Sequence, residues 1–272
     1  MGLAVATELI KRGSWTVHLL DLNVAAGAEV IKALGPQSHF HQVNIVRYEE
    51  LSTAFDRVFC TENRLDFVYA NAGIVERFNF YEKHDLSSTP PELDTRVVDI
   101  NLTAVLTTCY LALHYFRKSP TEHRSLVATA SCGGIYPTPQ TAMYAGTKHG
   151  VVGFIRSIAP KYLQDDIRVN CICPGTVRTG LIEPEAWETF PQQYFTPIEV
   201  ITDTVLKLVD GNDMIDASSH AVKAGELYGR AVEVICDNIY FREPPPFCDE
   251  AMALVLGATT KDEILKVDNS KT

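Results

Sequence analysis

The chain is short of the features that mark several protein classes. Its 272 residues include two tryptophans, four methionines and 24 basic side chains against 34 acidic ones, a net charge of −10 and a pI near 5.3. That balance argues against nucleic-acid binding and against an anionic membrane surface. No unbroken apolar run reaches the ~18 residues of a membrane span, and no basic-then-apolar segment opens the sequence. Seven cysteines, an odd number without framework spacing, point to a reducing, cytoplasmic setting. Cys171 and Cys173 stand two apart in an apolar run and so share a strand face, with no second ligand pair nearby. They are read as core residues. His39 and His41 have the same spacing and the same reading, so no metal site is expected.

What is present is enough apolar content, 46%, for one large domain with a substantial core. There are no internal repeats and no linker. Helical stripes over residues 2–12, 24–34, 48–61, 92–116, 142–163 and 198–209 alternate with short strand-like runs. The strands fall at 16–20, 39–43, 66–70, 125–130, 167–173 and 230–236. In the first helix Leu3, Ala6, Leu9 and Ile10 form the apolar stripe. Such alternation predicts an α/β fold, a doubly wound parallel sheet covered on both faces, as a single domain over residues 1–241. Residues 242–272 read as a C-terminal tail with a stiff Pro244–Pro246 turn and a short helix from Glu250 to Leu256.

The chemistry concentrates in Ser131 to Lys148, SCGGIYPTPQTAMYAGTK. A short buried strand ends just before Ser131, glycines and prolines make a loop, and a helix follows. Tyr144 and Lys148 lie one turn apart on one helix face. A phenol has a reference pKa of about 10; a nearby ammonium favours its anion, and a hydroxyl can bind an alcohol or ketone oxygen. This is an acid/base device for interconverting C–OH and C=O. The bare Y-x-x-x-K is weak evidence, but the strand-terminal serine thirteen residues upstream makes it specific.

On these residues the sequence resembles the short-chain dehydrogenase/reductase family, over nearly everything from Gly2 to about Cys236. The resemblance implies a Rossmann-type fold and a catalytic tetrad of Asn101, Ser131, Tyr144 and Lys148. Tyr144 is then the acid/base, Ser131 orients the substrate oxygen, Lys148 lowers the Tyr144 pKa and holds the nicotinamide ribose, and Asn101 anchors a proton-relaying water. Asp21, closing a strand, suits the adenosine ribose hydroxyls and repels a 2′-phosphate, so NAD is favoured over NADP; it also has the simpler use of capping the next helix. Asn44 stands where the family usually has an Asp beside the adenine. Asn71-Ala72-Gly73 matches the family's N-A-G segment, and Pro174-Gly175 its turn against the nicotinamide, with Val177 and Thr179 at the carboxamide end.

In that family a strand and a T-G-x-x-x-G-x-G turn precede the first helix. Gly2 takes the place of the last glycine of that turn. The sheet is therefore expected to lack its first strand, leaving a slot of about 10 Å between the strands ending near Asp21 and Ala70. The expectation is that a longer product carries roughly 15–20 further residues, a strand and its turn.

Substrate contacts are expected after Thr179, where Trp187, Phe190, Tyr194 and Phe195 make either an apolar wall or a lid packed on the domain; Tyr136 is a further candidate. Cys132 is not expected to be a nucleophile, since no histidine is placed locally to activate it. The tail's R-E-P-P run is weakly similar to fungal members near the 15-hydroxyprostaglandin dehydrogenase-like branch. The expected partner is a small molecule, in a homodimer or homotetramer. A rival reading is a non-catalytic protein of the same fold, which explains the absent loop but not the intact tetrad.

Overall fold

The computed structural model describes residues 1–259. Two compact units divide the chain, one from Met1 to Arg242 and one from Glu243 onward. The first begins with α1 (Gly2–Lys11), ended by Gly13 at φ 80°, a left-handed position where glycine costs least. It buries Val5, Ala6 and Leu9, whereas Leu3 of the anticipated stripe is 49% exposed. There follow β1 (Val17–Asp21), α2 (Val24–Leu34), β2 (Ser38–Gln42), α3 (Tyr48–Glu62) and β3 (Phe67–Ala70). After a long loop come α4 (Arg96–Val98), a π-helical turn over Asp99–Thr103 and α5 (Ala104–Lys118). Helical structure was expected from residue 92. It starts later because the Asp94 carboxylate accepts the Arg96 backbone N–H at 3.1 Å and also grips the Arg96 guanidinium, closing a turn first. By length and composition alone the stretch Arg96–Lys118 is apolar enough to cross a membrane. Here it packs against α3 and α6 and carries Asn101.

β4 (Arg124–Thr129), α6 (Ala142–Leu163), β5 (Ile167–Pro174), α7 (Pro184–Trp187), α8 (Ile198–Asp210), a small β6 (Met214–Ile215) and β7 (Ala221–Val222) hairpin, β8 (Ala231–Ile235) and β9 (Asn238–Arg242) complete the unit. The final hairpin was not anticipated: its turn holds no glycine, and Cys236 itself takes φ 50°. In the second unit α9 (Glu250–Ala258) is capped by Asp249, whose carboxylate accepts the Met252 N–H at 2.8 Å.

Strands β3, β4, β5 and β8 run parallel in that order, and β9 joins antiparallel at the edge. The alternating sides of β4 meet two cores. Leu126 and Ala128 join Phe116, Val151 and Ile155 of α5 and α6, while Val127 joins Leu9 of α1 and Val205 of α8. Helices thus cover both faces, which keeps the parallel ladder dry.

The sheet is in two pieces. β1 pairs with β2 in parallel, from Val17 opposite Ser38 to Asp21 opposite Gln42, and shares no ladder hydrogen bonds with β3. A cavity of about 1080 Å³ lies where such bonds would run, lined by β1, β3, the first turns of α1 and apolar residues of α2, α3 and α5.

Candidate active site

The carboxyl ends of the parallel strands carry the site. Beyond β4 the chain is extended at Ser131 (φ −174°, ψ 164°), and the Ser131 hydroxyl oxygen accepts the Gly133 N–H at 3.1 Å. The loop then lies directly on α6: a Cβ at Gly134 would stand 2.7 Å from the Lys148 carbonyl oxygen, so only glycine permits that approach. This seats Ser131 over the first turn of α6, where Tyr144 is the third residue.

Lys148 is 2% exposed. Its Nζ donates to the Thr129 carbonyl at 2.9 Å and lies 5.5 Å from the centre of the Tyr144 ring. Burial drives its pKa down from 10.5 to about 8. An ammonium has three N–H bonds; one is used here, and the others have no hydrogen-bond partner among the described residues. Asn101 is fully buried in the π turn, an extra residue in the helix of the kind that often marks functional sites. Its amide binds Ile74 in both senses at 2.8 Å, accepting from N and donating to O, and donates to the Thr147 hydroxyl at 3.3 Å. Gly73 lies between the two groups: a Cβ there would be 3.2 Å from Asn101 Oδ1 and 3.4 Å from Lys148 Nζ. The four tetrad positions therefore converge.

Burial raises the Tyr144 pKa above 10, and the Ser131 hydroxyl pulls it back. Lys148 Nζ makes no hydrogen bond to the Tyr144 oxygen among the described residues. Burial also raises the Cys132 thiol, in keeping with a non-nucleophilic role.

The remaining candidates spread outward. Asp21 is exposed at the end of β1, and its carboxylate accepts the Asn23 N–H at 2.9 Å; the α2 cap is Asn23 rather than Asp21. Asn44 spends its amide oxygen locally, accepting Val46 N–H at 3.3 Å. Asn71 accepts from the Thr129 hydroxyl at 3.3 Å and abuts Gly2, where a Cβ would come within 3.1 Å of its Nδ2. Pro174 closes β5, and Val177 is 6% exposed. Thr179 accepts the Leu181 N–H on its hydroxyl and the Trp187 indole N–H, at 3.0 Å, on its carbonyl. Trp187 is buried and packs on Phe190 and Phe195, whereas Tyr194 is 58% exposed. The Tyr136 hydroxyl donates to Glu233 at 3.1 Å and accepts from Arg242 at 2.9 Å.

Two residues not anticipated join the site. Glu76 accepts the backbone N–H groups of Met143 and Tyr144 on its two carboxylate oxygens, at 3.0 and 2.7 Å. Glu233, 7% exposed in β8, anchors both Tyr136 and Arg242. Glu76 lies 67 and 68 residues from its two partners and Glu233 lies 97 from Tyr136, so no local signal marked these contacts.

The nicotinamide cofactor implied by the fold family fits this cradle on one observation above all, the two unpartnered N–H directions of buried Lys148, which suit a ribose diol.

Comparison with known proteins agrees with the geometry. Residues 1–188 match the short chain dehydrogenase family. A short-chain dehydrogenase/reductase of Penicillium rubens is 45% identical over 95% of this chain and 96% of its own length. Human 15-hydroxyprostaglandin dehydrogenase [NAD(+)] is 30% identical over 75% of this chain and 74% of its own. In fold, the chain is similar to a 3-ketoacyl-(acyl-carrier-protein) reductase of Brucella melitensis solved with NADH, at TM-score 0.68 and 19% identity over 86% of this chain and 91% of that one. The chain belongs to the short-chain dehydrogenase/reductase family, a family of oxidoreductases.

Proposed function

We propose that the chain interconverts a secondary alcohol and a ketone of a small, apolar or aromatic substrate, using NAD in preference to NADP. The cofactor, when bound, supplies or accepts the hydride. Tyr144 Oη gives its proton to the substrate oxygen in reduction and takes it back in oxidation, while the Ser131 hydroxyl holds that oxygen in place. Lys148 offers its free N–H groups to the nicotinamide ribose, and Asn101 holds the loop at Ile74 against α6. Asp21, exposed at the end of β1, favours ribose hydroxyls over a 2′-phosphate. Support for NAD also comes from the cofactor named for the human relative.

The observation that carries this reading is Lys148: a buried ammonium with one hydrogen bond is expensive unless a ligand completes it. The experiment is Tyr144→Phe. Turnover of secondary alcohols or ketones should fall at least about 100-fold with NAD binding largely kept; wild-type-like turnover in that variant would sink the assignment.

The reading includes a cytoplasmic protein, self-associated as a dimer or tetramer. The cavity between β1 and β3 favours a second reading, a chain of this fold that does not turn over, because unpaired strand edges in a core cost on the order of 1–3 kcal/mol per polar group. NAD(H) titration of the 272-residue chain separates the two, with micromolar affinity supporting the enzyme.

A further inference from the structure

His18 on β1 and His39 on β2 are direct partners in the parallel register, so their side chains leave the strands on one face. Their rings stack with centres 4.9 Å apart. His41, two residues on, shares that face, and its Nε2 lies 3.0 Å from His18 Nδ1. Glu62, the last residue of α3, sets its Oε1 3.1 Å from His18 Nε2. One donor atom each from His18, His39 and Glu62 falls within 4.8 Å of the other two.

We propose that these three side chains form a binding site for a borderline divalent cation of the zinc type, separate from the tetrad. Two imidazole nitrogens and a carboxylate oxygen are a donor set that zinc takes readily. Tetrahedral zinc holds its donors roughly 3.4 Å apart, so closure asks for an inward movement of about 1 Å. His39 can make it: the residue is exposed and has no side-chain hydrogen bond among the described residues. Its exposure also gives the ion a way in. The cation takes the place of the proton between His18 Nε2 and Glu62 Oε1; the neutral ring keeps its proton by switching tautomer, so that Nδ1 then donates to His41 Nε2, and His41 carries its own proton on Nδ1. His41 holds the other ring nitrogen of His18, the kind of outer contact that fixes a metal-bound imidazole. Water completes the coordination.

The site would tie together β1, β2 and α3. β1 and β2 form the piece of sheet without ladder bonds to the rest, and α3 packs on α5. The cation is therefore a clamp on the detached pair, near the strand ends opposite Asp21.

The test is zinc titration of the metal-stripped full chain against a chromophoric chelator. One equivalent should bind, and affinity should fall at least tenfold in His39→Ala and several-fold in Glu62→Gln. Exposed Cys60 and Cys248 are the competing ligands, so the double variant Cys60→Ser/Cys248→Ser should keep the site. Zinc should also slow amide exchange along β1 and β2 in the wild type but not in His39→Ala. His39 is exposed and Glu62→Gln keeps its shape, so both variants should fold. Absence of a one-equivalent site in the wild type, or zinc binding unchanged in His39→Ala, overturns the proposal.

Discussion

Glu76→Ala should loosen α6 at its first turn. α6 is 22 residues long and Thr141, at its N-cap, makes no side-chain capping bond. The N–H groups of its second and third residues, Met143 and Tyr144, are served instead by the two oxygens of Glu76. Those are the donors an N-cap side chain ordinarily serves, and losing such a cap costs about 0.5–2 kcal/mol. A bond to a charged acceptor is worth about 1.5–3 kcal/mol, but Glu76 is only half-buried and water can partly replace it. The expected loss is about 1–2 kcal/mol, and in a unit of this size that lowers Tm by roughly 2–8 °C. Amide exchange at Met143 and Tyr144 should quicken by about 5- to 30-fold, since 1.4 kcal/mol is tenfold. Glu76→Gln, which keeps an acceptor and loses the charge, should fall between. Exchange and melting read the effect without knowledge of the substrate. If Glu76→Ala melts and exchanges like the wild type, the carboxylate is not the cap of this helix and does not position Tyr144.

Lys148 gives a pH signature. Its folded value is about 8 against an ordinary 10.5, so between those values the unfolded chain holds a proton that the folded chain has released. Stability should therefore rise with pH across that window and be lowest below it, where the charge stays buried. From pH 8 to 10 the wild type should gain on the order of 2–3 kcal/mol over Lys148→Met in urea titrations; parallel curves would dismiss the buried-ammonium argument. Half of the β1 and β3 amides should exchange much faster than those of β4, because they face the cavity without a strand partner. Full protection along both strands would mean that something pairs them. Asp21→Ala should narrow the preference for NAD over NADP at least tenfold in binding titrations, and an unchanged ratio would remove Asp21 from cofactor choice.

The parts legible in the sequence were those written locally. Apolar alternation placed the strands, and the strand–loop–helix order of Ser131 to Lys148 brought its three polar groups together because the loop is short. The π turn was not legible, since D-I-N-L-T has no composition that separates it from an ordinary helix. Nor was β9, whose turn relies on Cys236 in a left-handed conformation rather than on glycine or asparagine. Glu76, Glu233 and the His18–Glu62 pair were out of reach for another reason: each acts on a residue at least 44 positions away. Trp187 shows the limit of composition. An aromatic after the P-G turn reads equally as substrate wall or packing, and its indole N–H, bound to the Thr179 carbonyl, places it in the packing.

The division of the sheet separates two functions that the family resemblance joins. Ser131 follows β4, while Tyr144 and Lys148 lie on α6, which packs on β5; Asn101 is tied to α6 through Thr147. All four belong with the continuous five-stranded piece. Asp21 alone stands on β1, in the piece that meets the rest through helices and side chains. The groups proposed to move and orient a proton are thus held by a fully bonded ladder, while the group proposed to choose the cofactor sits on a pair of strands held more weakly. Perturbing β1 or β2 should therefore act first on cofactor affinity and leave the protonation of Tyr144 and Lys148 as it is. A change at the core of β4 or α6 should do the reverse.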